Sequence, residues 1–239
     1  ENDGTDTGTG SANQMLEHTL TTVRSGYTRD VAIADVDGDG DMDFVGAARE
    51  EQQLTWFENA GQYAPDSEEE TAIRHVLAGK GVGTNGGEIL AADIDRDGDQ
   101  DLMQLSKQKV VQWKNFGGEQ FSSQDVASGF SPGSGGWYGM GHYHFDKPSA
   151  LGSGDMDSDG DVDMVVACAG GGYANRSPAI KWLQNDGLGY FESIVIDTGL
   201  EKPLDIEIVD FDFDGDLDVI SASHDDGYIT WHERRASTF

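Results

Sequence analysis

The sequence predicts an all-β fold: a β-propeller of four-stranded blades, four in number, closed by a strand from the N-terminal end. Three observations predict it. One acidic loop recurs four times, each copy is followed by a tryptophan, and short period-two apolar segments fill the intervals.

The loops come first. Asp35 opens DVDGDGDMD (35–43), Asp93 opens DIDRDGDQD (93–101), Asp155 opens DMDSDGDVD (155–163) and Asp210 opens DFDFDGDLD (210–218). Their starts lie 58, 62 and 55 residues apart, a spacing that marks a repeat array. Trp56, Trp113, Trp182 and Trp231 follow them, with an asparagine three residues on (Asn59, Asn185) or two on (Asn115).

Strands surround each loop. Val31 and Ile33, Ile89 and Ala91, Leu151 and Ser153, Ile206 and Ile208 alternate ahead of it. The positions between them are mostly small (Ala32, Ala34, Ala92, Gly152, Gly154), which suits a strand packed tightly on its neighbours. A second strand follows at Phe44-Val45, Leu102-Met103, Met164-Val165-Val166 and Val219-Ile220, and the tryptophan segment makes a third. A fourth is expected in 71–79, 124–128 and 192–199. EHTLTTV (17–23) reads as a fourth strand that precedes the first repeat and completes the last blade, removing an exposed edge. His18 and His75 hold equivalent places in this outer-strand pattern, which favours a structural role. Residues 1–16 read as a polar linker left by processing or trimming, and 17–239 as the propeller.

Composition narrows the function classes. Forty-five acids against fifteen bases give a net charge of −30, which repels nucleic acid and anionic membranes unless a metal intervenes. No 18-residue apolar run is present, so no membrane-spanning helix is expected. Cys168 is the only cysteine, in the apolar run MVVACAG, and reads as a small buried hydrophobe. A secreted or cell-surface chain without disulfides needs other staples, and bound cations are the candidate.

Five aspartates at alternate positions repel one another unless a cation joins them. Calcium suits the donor set, because it takes six to eight oxygens at flexible geometry. In the first loop Asp35, Asp37, Asp39 and Asp43 offer side-chain oxygens and Asp41 its backbone carbonyl. The second offers Asp93, Asp95, Asp97 and Asp101, with Asp99 in the place of Asp41. The third offers Asp155, Asp157, Asp159 and Asp163 with Asp161, and the fourth Asp210, Asp212, Asp214 and Asp218 with Asp216. The expectation is about four Ca²⁺ ions, one per loop. An EF-hand is excluded: position twelve holds Gly46, Gln104, Val166 and Ser221, where that loop needs a bidentate Glu between helices.

With these loops in view, the chain from about Glu17 to Arg235 resembles the FG-GAP/VCBS family of propeller blades, related to the calcium-bearing blades of integrin α-subunits. The resemblance implies calcium on the aspartates just named. Propellers of that family commonly have more blades, seven, so the alternative reading is a fragment of a larger, seven-bladed ring.

A ligand site is expected among the insertions. The excess between Trp113 and Asp155 contains SPGSGGWYGMGHYHFDKP, and the third repeat inserts GGGYANRSPA. Trp137, Tyr138, His142, Tyr143 and His144 offer a stacking platform for sugar rings, with Lys147, Tyr173 and Arg176 near in sequence or in the neighbouring insertion. The alternatives are an insert that plugs the centre and packs on itself, or a metal on His142 and His144. Asp30, Glu88 and Asp205, five residues before their loops, are expected to ring the mouth of the channel, with Ala150 breaking the ring.

Three function classes follow. The first is a non-catalytic extracellular binding or adhesion module for carbohydrate or a partner protein. The second is a carbohydrate-active enzyme such as a polysaccharide lyase, with His142, His144 or Tyr143 as base and Arg176 or Lys147 as cation; no spacing demands catalysis. The third is a structural repeat segment of a large surface protein. The composition leaves ligand identity and oligomeric state open.

Overall fold

The computed structural model describes residues 28–48, 53–59, 72–78, 87–106, 109–118, 120–127, 148–170 and 178–235. Among them every regular element is a strand. The first sheet holds β1 (Thr28–Ala34), β2 (Asp43–Ala48), β3 (Gln53–Asn59) and β4 (Ala72–Ala78). The second holds β5 (Ile89–Ala92), β6 (Asp101–Ser106), β7 (Lys109–Asn115) and β8 (Phe121–Ala127). The third holds β9 (Pro148–Gly154), β10 (Asp163–Cys168), β11 (Ala179–Asn185) and β12 (Phe191–Asp197). The fourth has three described strands, β13 (Pro203–Val209), β14 (Asp218–Ser223) and β15 (Ile229–His232). Strands lie in chain order and pair antiparallel throughout. The linker at 1–16 and the strand expected at 17–23 lie outside the described residues.

Successive sheets pack face to face through three apolar layers. Val45, Leu54 and Trp56 of the first sheet meet Ile89, Leu102 and Trp113 of the second. Ile94, Met103 and Val110 of the second meet Leu151, Met164 and Leu183 of the third. Met156, Val165 and Ile180 of the third meet Ile206 and Val219 of the fourth. Each such aliphatic side chain, once buried, contributes about 1.5–3 kcal/mol relative to exposure. The small residues of the first strands permit this approach. A Cβ at Gly152 would meet Ile208 Cδ1 at 3.0 Å, and one at Gly154 would meet Leu217 Cδ1 at 2.8 Å.

The strand register corrects one equivalence read from sequence. Trp56, Trp182 and Trp231 sit opposite Val45, Val165 and Ile220, each the eleventh residue counted from its loop start. In the second sheet Gln112 holds that slot, opposite Met103, and Trp113 is one place further on, opposite Leu102. Adjacent strand residues face opposite sides, so Trp113 points back to the first sheet and shares an apolar layer with Trp56. The asparagine two residues after Trp113, rather than three, was the trace of this shift.

Polar latches cross the seams. Asp30 accepts the Ile89 N–H at 2.8 Å, and Glu88 accepts the Leu151 N–H at 2.5 Å. The acids expected to ring a channel mouth therefore clamp the first strand of the next sheet. Where Ala150 breaks the series, Ser149 Oγ donates to the Pro203 carbonyl at 2.6 Å, and Asp205 accepts the N–H of its own neighbour Ile206. A second series runs nearer the loops: Asn115 Nδ2 donates to the Val36 carbonyl and Asn185 Nδ2 to the Ile94 carbonyl, both at 2.7 Å. Among the described residues, Val31 and Ile33 are exposed on the outer face of the first sheet, and Ile229 and Trp231 on that of the fourth.

Candidate functional site

Each acidic loop joins the first strand of its sheet to the second, so all four fall at the same end of their sheets. The local fold repeats closely. The glycine at position six donates its N–H to the first aspartate in every copy: Gly40 to Asp35, Gly98 to Asp93, Gly160 to Asp155 and Gly215 to Asp210, at 3.0–3.1 Å. These glycines have φ of +91° to +97°, backbone that a side chain rarely adopts. Position four is left-handed too, yet only Gly38 is a glycine there; Arg96, Ser158 and Phe213 hold φ of 57°, 62° and 62°. The backbone thereby wraps the aspartates around one point.

The carboxylates converge. Oxygens of Asp35, Asp37 and Asp39 lie within 4.8 Å of one another, as do those of Asp93, Asp95 and Asp97, and of Asp210, Asp212 and Asp214. In the third loop the group is Asp155, Asp157 and Asp163. The Oδ1 atoms of Asp93, Asp95 and Asp157 are buried without a hydrogen-bond partner. A buried carboxylate oxygen that meets no donor is costly unless a cation faces it. This all-oxygen donor set fits a hard divalent ion.

The ninth-position aspartates also brace the loop, Asp163 doing so while it belongs to the converging group. Asp43, Asp101, Asp163 and Asp218 are almost wholly buried. Their Oδ1 atoms accept the N–H of Asn59, Asn115 and Asn185, the last residues of their third strands, and of Arg234, two residues past β15, at 2.7–2.8 Å. The other oxygen turns back to the loop, accepting from Val36, Met156 and Phe211, or in Asp101 from Gln112 Nε2. Each ties its loop to the tryptophan hairpin. Burial pushes Asp101 and Asp163 up to about 6, against the lowering effect of these hydrogen bonds. Asp37 is raised as well, by burial and then by the charges of Asp39, Asp43 and Glu58.

Other charged groups enter the loops. The Lys114 ammonium contacts Asp95 and lies 3.7 Å from Asp97. Arg96 reaches from the second loop to the third, pairing with Asp161 and donating to the Asp159 carbonyl at 3.1 Å. Gln184 Nε2 donates to Asp157 Oδ2. Neither the latch role of the asparagines nor these contacts were read from sequence, although the recurrence of Asn59, Asn115 and Asn185 was visible there.

The seam between third and fourth sheets departs from the others. His232 stands where Trp113 and Leu183 stand in the second and third sheets, and Arg234 where Asn115 and Asn185 stand. A cavity of about 400 Å³ opens there, lined by Met156, Trp182, Ile196, His232, Arg234 and Arg235 among others. His232 Nε2 is 3.0 Å from Ser221 Oγ, and burial lowers its pKa although Asp197 stands 3.7 Å from its other ring nitrogen. Trp137, Tyr138, His142, Tyr143, His144, Tyr173 and Arg176, the ligand residues expected from sequence, lie outside the described residues, as does Lys147.

The profile of the FG-GAP-like repeat family matches residues 35–103 and 155–221. The chain belongs to this family. Each FG-GAP-like match opens on the first aspartate of one loop and closes just past the next loop, so the two together take in all four. Among solved structures, this FG-GAP-like chain is similar to an Agrocybe aegerita lectin described in terms of specific recognition of non-reducing terminal N-acetylglucosamine. Identity is 21% and the TM-score 0.51, over 79% of this chain and 45% of the lectin chain. The FG-GAP-like chain therefore spans less than half of the lectin's length, and at this identity the likeness shows the fold. No curated protein gives a match. No helix among the described residues is long and apolar enough to cross a membrane.

Proposed function

We propose that this FG-GAP-like chain is a secreted or cell-surface binding module, a calcium-stapled propeller that holds a carbohydrate or an extracellular protein without catalysing a reaction. The observation that carries the calcium part is the set of converging loop carboxylates with buried oxygens that meet no donor. When bound, calcium supplies charge neutralisation and a cross-link between loop oxygens; the chain's own residues do the rest. Position six glycines shape the loop, and the ninth-position aspartates anchor it to the third strand.

Ring closure by residues 17–23 is part of the proposal. In the first sheet His75 stacks on Trp56 at 4.1 Å between ring centroids, and its Nε2 lies 2.8 Å from Glu58. The fourth sheet carries Trp231 and Glu233 at the matching places, and His18 of the N-terminal segment, the sequence equivalent of His75, would complete the set under this proposal. A larger ring would serve the exposed Val31, Ile33, Ile229 and Trp231 equally well, by adding further blades.

For the ligand, two surfaces are offered: the aromatic insertion around Trp137 and Tyr143, and the cavity beside Trp182, where an aromatic wall meets two guanidinium groups. The lectin likeness supports carbohydrate as the first class to try. The test is a glycan array probed with the calcium-loaded chain and with the chelated chain. Retention on defined glycans, lost in chelator and reduced by Trp182→Ala or Trp137→Ala, is expected. Absence of retention on any glycan in calcium retires the carbohydrate reading.

A further inference from the structure

One position, at the end of the third strand or just past it, stands beside the second aspartate of the loop in the second and third sheets. Phe57, Trp113, Leu183 and His232 are equivalent, sitting opposite Phe44, Leu102, Met164 and Val219. The next residue in each sheet is Glu58, Lys114, Gln184 and Glu233. Lys114 contacts Asp95, and Gln184 donates to Asp157. Glu58 and Glu233 hold the same place in the first and fourth sheets and bring negative charge there. One slot, four copies, and three different charges.

We infer that this slot sets the cation affinity of each loop, and that Lys114 makes the second loop the weakest of the four. The inference rests on the calcium reading above and goes past it, because that reading treats the loops alike. The loops share their aspartates, so the aspartates cannot rank them. An ammonium in contact with Asp95 occupies one of the carboxylates the ion needs and repels the ion directly. The Asp95 side chain is only 5% exposed, so solvent screens that repulsion poorly. The Oδ1 of the same side chain, buried and without a donor, still points to an ion for this loop. Arg96, although part of the second loop, carries its guanidinium to the third, against Asp161 and the Asp159 carbonyl rather than a side-chain ligand of its own loop. Gln184 brings no charge. Glu58 and Glu233 add negative charge, the latter tempered by Arg235 at 2.8–2.9 Å.

Calorimetric titration of the calcium-stripped full chain with Ca²⁺ tests this. The expected result is three tight equivalents and a fourth at least tenfold weaker. Lys114→Glu should draw the fourth into the tight class and Lys114→Gln should move it part of the way, the latter guarding against a misfolded charge reversal. Lys109→Gln, which removes a lysine of the same strand paired with Asp125 at 2.5 Å, should leave the pattern unchanged. Four equal sites in the parent chain, or a weak site indifferent to both Lys114 variants, overturns the inference while calcium binding stands. Absence of any binding heat, with no change in melting temperature on adding Ca²⁺, removes the calcium reading and this inference together.

Discussion

Asn185 donates through Nδ2 to the Ile94 carbonyl at 2.7 Å, across the seam between the second and third sheets. The same amide donates to Val162 at 3.1 Å, and its oxygen accepts from Gly187 and Gly189. One side chain thus ties a loop of one sheet to the hairpin of the next. Asn185→Ala should cost about 2–4 kcal/mol, because it strands buried backbone groups rather than exchanging them for water. Urea unfolding measures this. A loss below 0.5 kcal/mol, on the order of a surface substitution, would show that the latch carries no weight.

Arg234→Asn gives the converse. It places at the third seam the residue found at the first two, where Met156 holds the position of Val36 and Ile94, and it gives up the Arg234–Asp216 pair at 3.3 Å. A rise in stability of about 1 kcal/mol is expected from one added net hydrogen bond. The melting temperature should climb.

Chelation should lower the melting temperature, and the fall should depend on calcium concentration. An ion held at a hundredfold its dissociation constant stabilises the folded state by about 2.7 kcal/mol. A scan in EDTA that overlays the scan in millimolar calcium would defeat the proposal for the loops.

The pH dependence should invert between loaded and unloaded forms. Asp101 and Asp163 lie at about 6 in the fold, above the ordinary aspartate value of 3.8. The sign follows from burial. Their contribution to stability is complete below the unfolded value and is lost as pH rises through about 6, on the order of 2 kcal/mol each. Unloaded protein should therefore melt higher at pH 5 than at pH 7. In saturating calcium the order should reverse, since protons then compete with the ion. Melting scans at both pH values, with and without EDTA, give the answer.

Loop backbone offers a contrast between two small changes. Ser158 sits at φ 62° and is exposed, so Ser158→Gly should stabilise by up to about 1 kcal/mol. Gly98→Ala should destabilise by about 1 kcal/mol or more, although a Cβ there meets nothing within 4 Å, because φ is +96°. Equal and negligible shifts in both would mean that the loop relaxes freely.

The acidic loops, the strands on either side and the all-β class were legible because they depend on local pattern. Alternating Val31 and Ile33, the Gly40 turn and the recurrence of Asp35, Asp93, Asp155 and Asp210 need only neighbours along the chain. The second tryptophan was misaligned for the same reason. Spacing made Trp113 the partner of Trp56, but strand register made Gln112 its equivalent, and a one-residue offset in a strand reverses the face.

By itself the sequence determined which segments form strands, which loops gather carboxylates, and that a hard cation suits them, since all of this follows from residue type and short-range spacing. It did not determine strand ends: the strand expected at 124–128 runs Phe121–Ala127. Only the tertiary structure decided that the ninth aspartates brace the hairpin, that asparagines stitch neighbouring sheets, and that Lys114 contacts Asp95. Those contacts join residues 14 to 91 positions apart, or reach across a strand pair whose register no local pattern encodes. Distance in the chain, not complexity of the chemistry, is what kept them hidden.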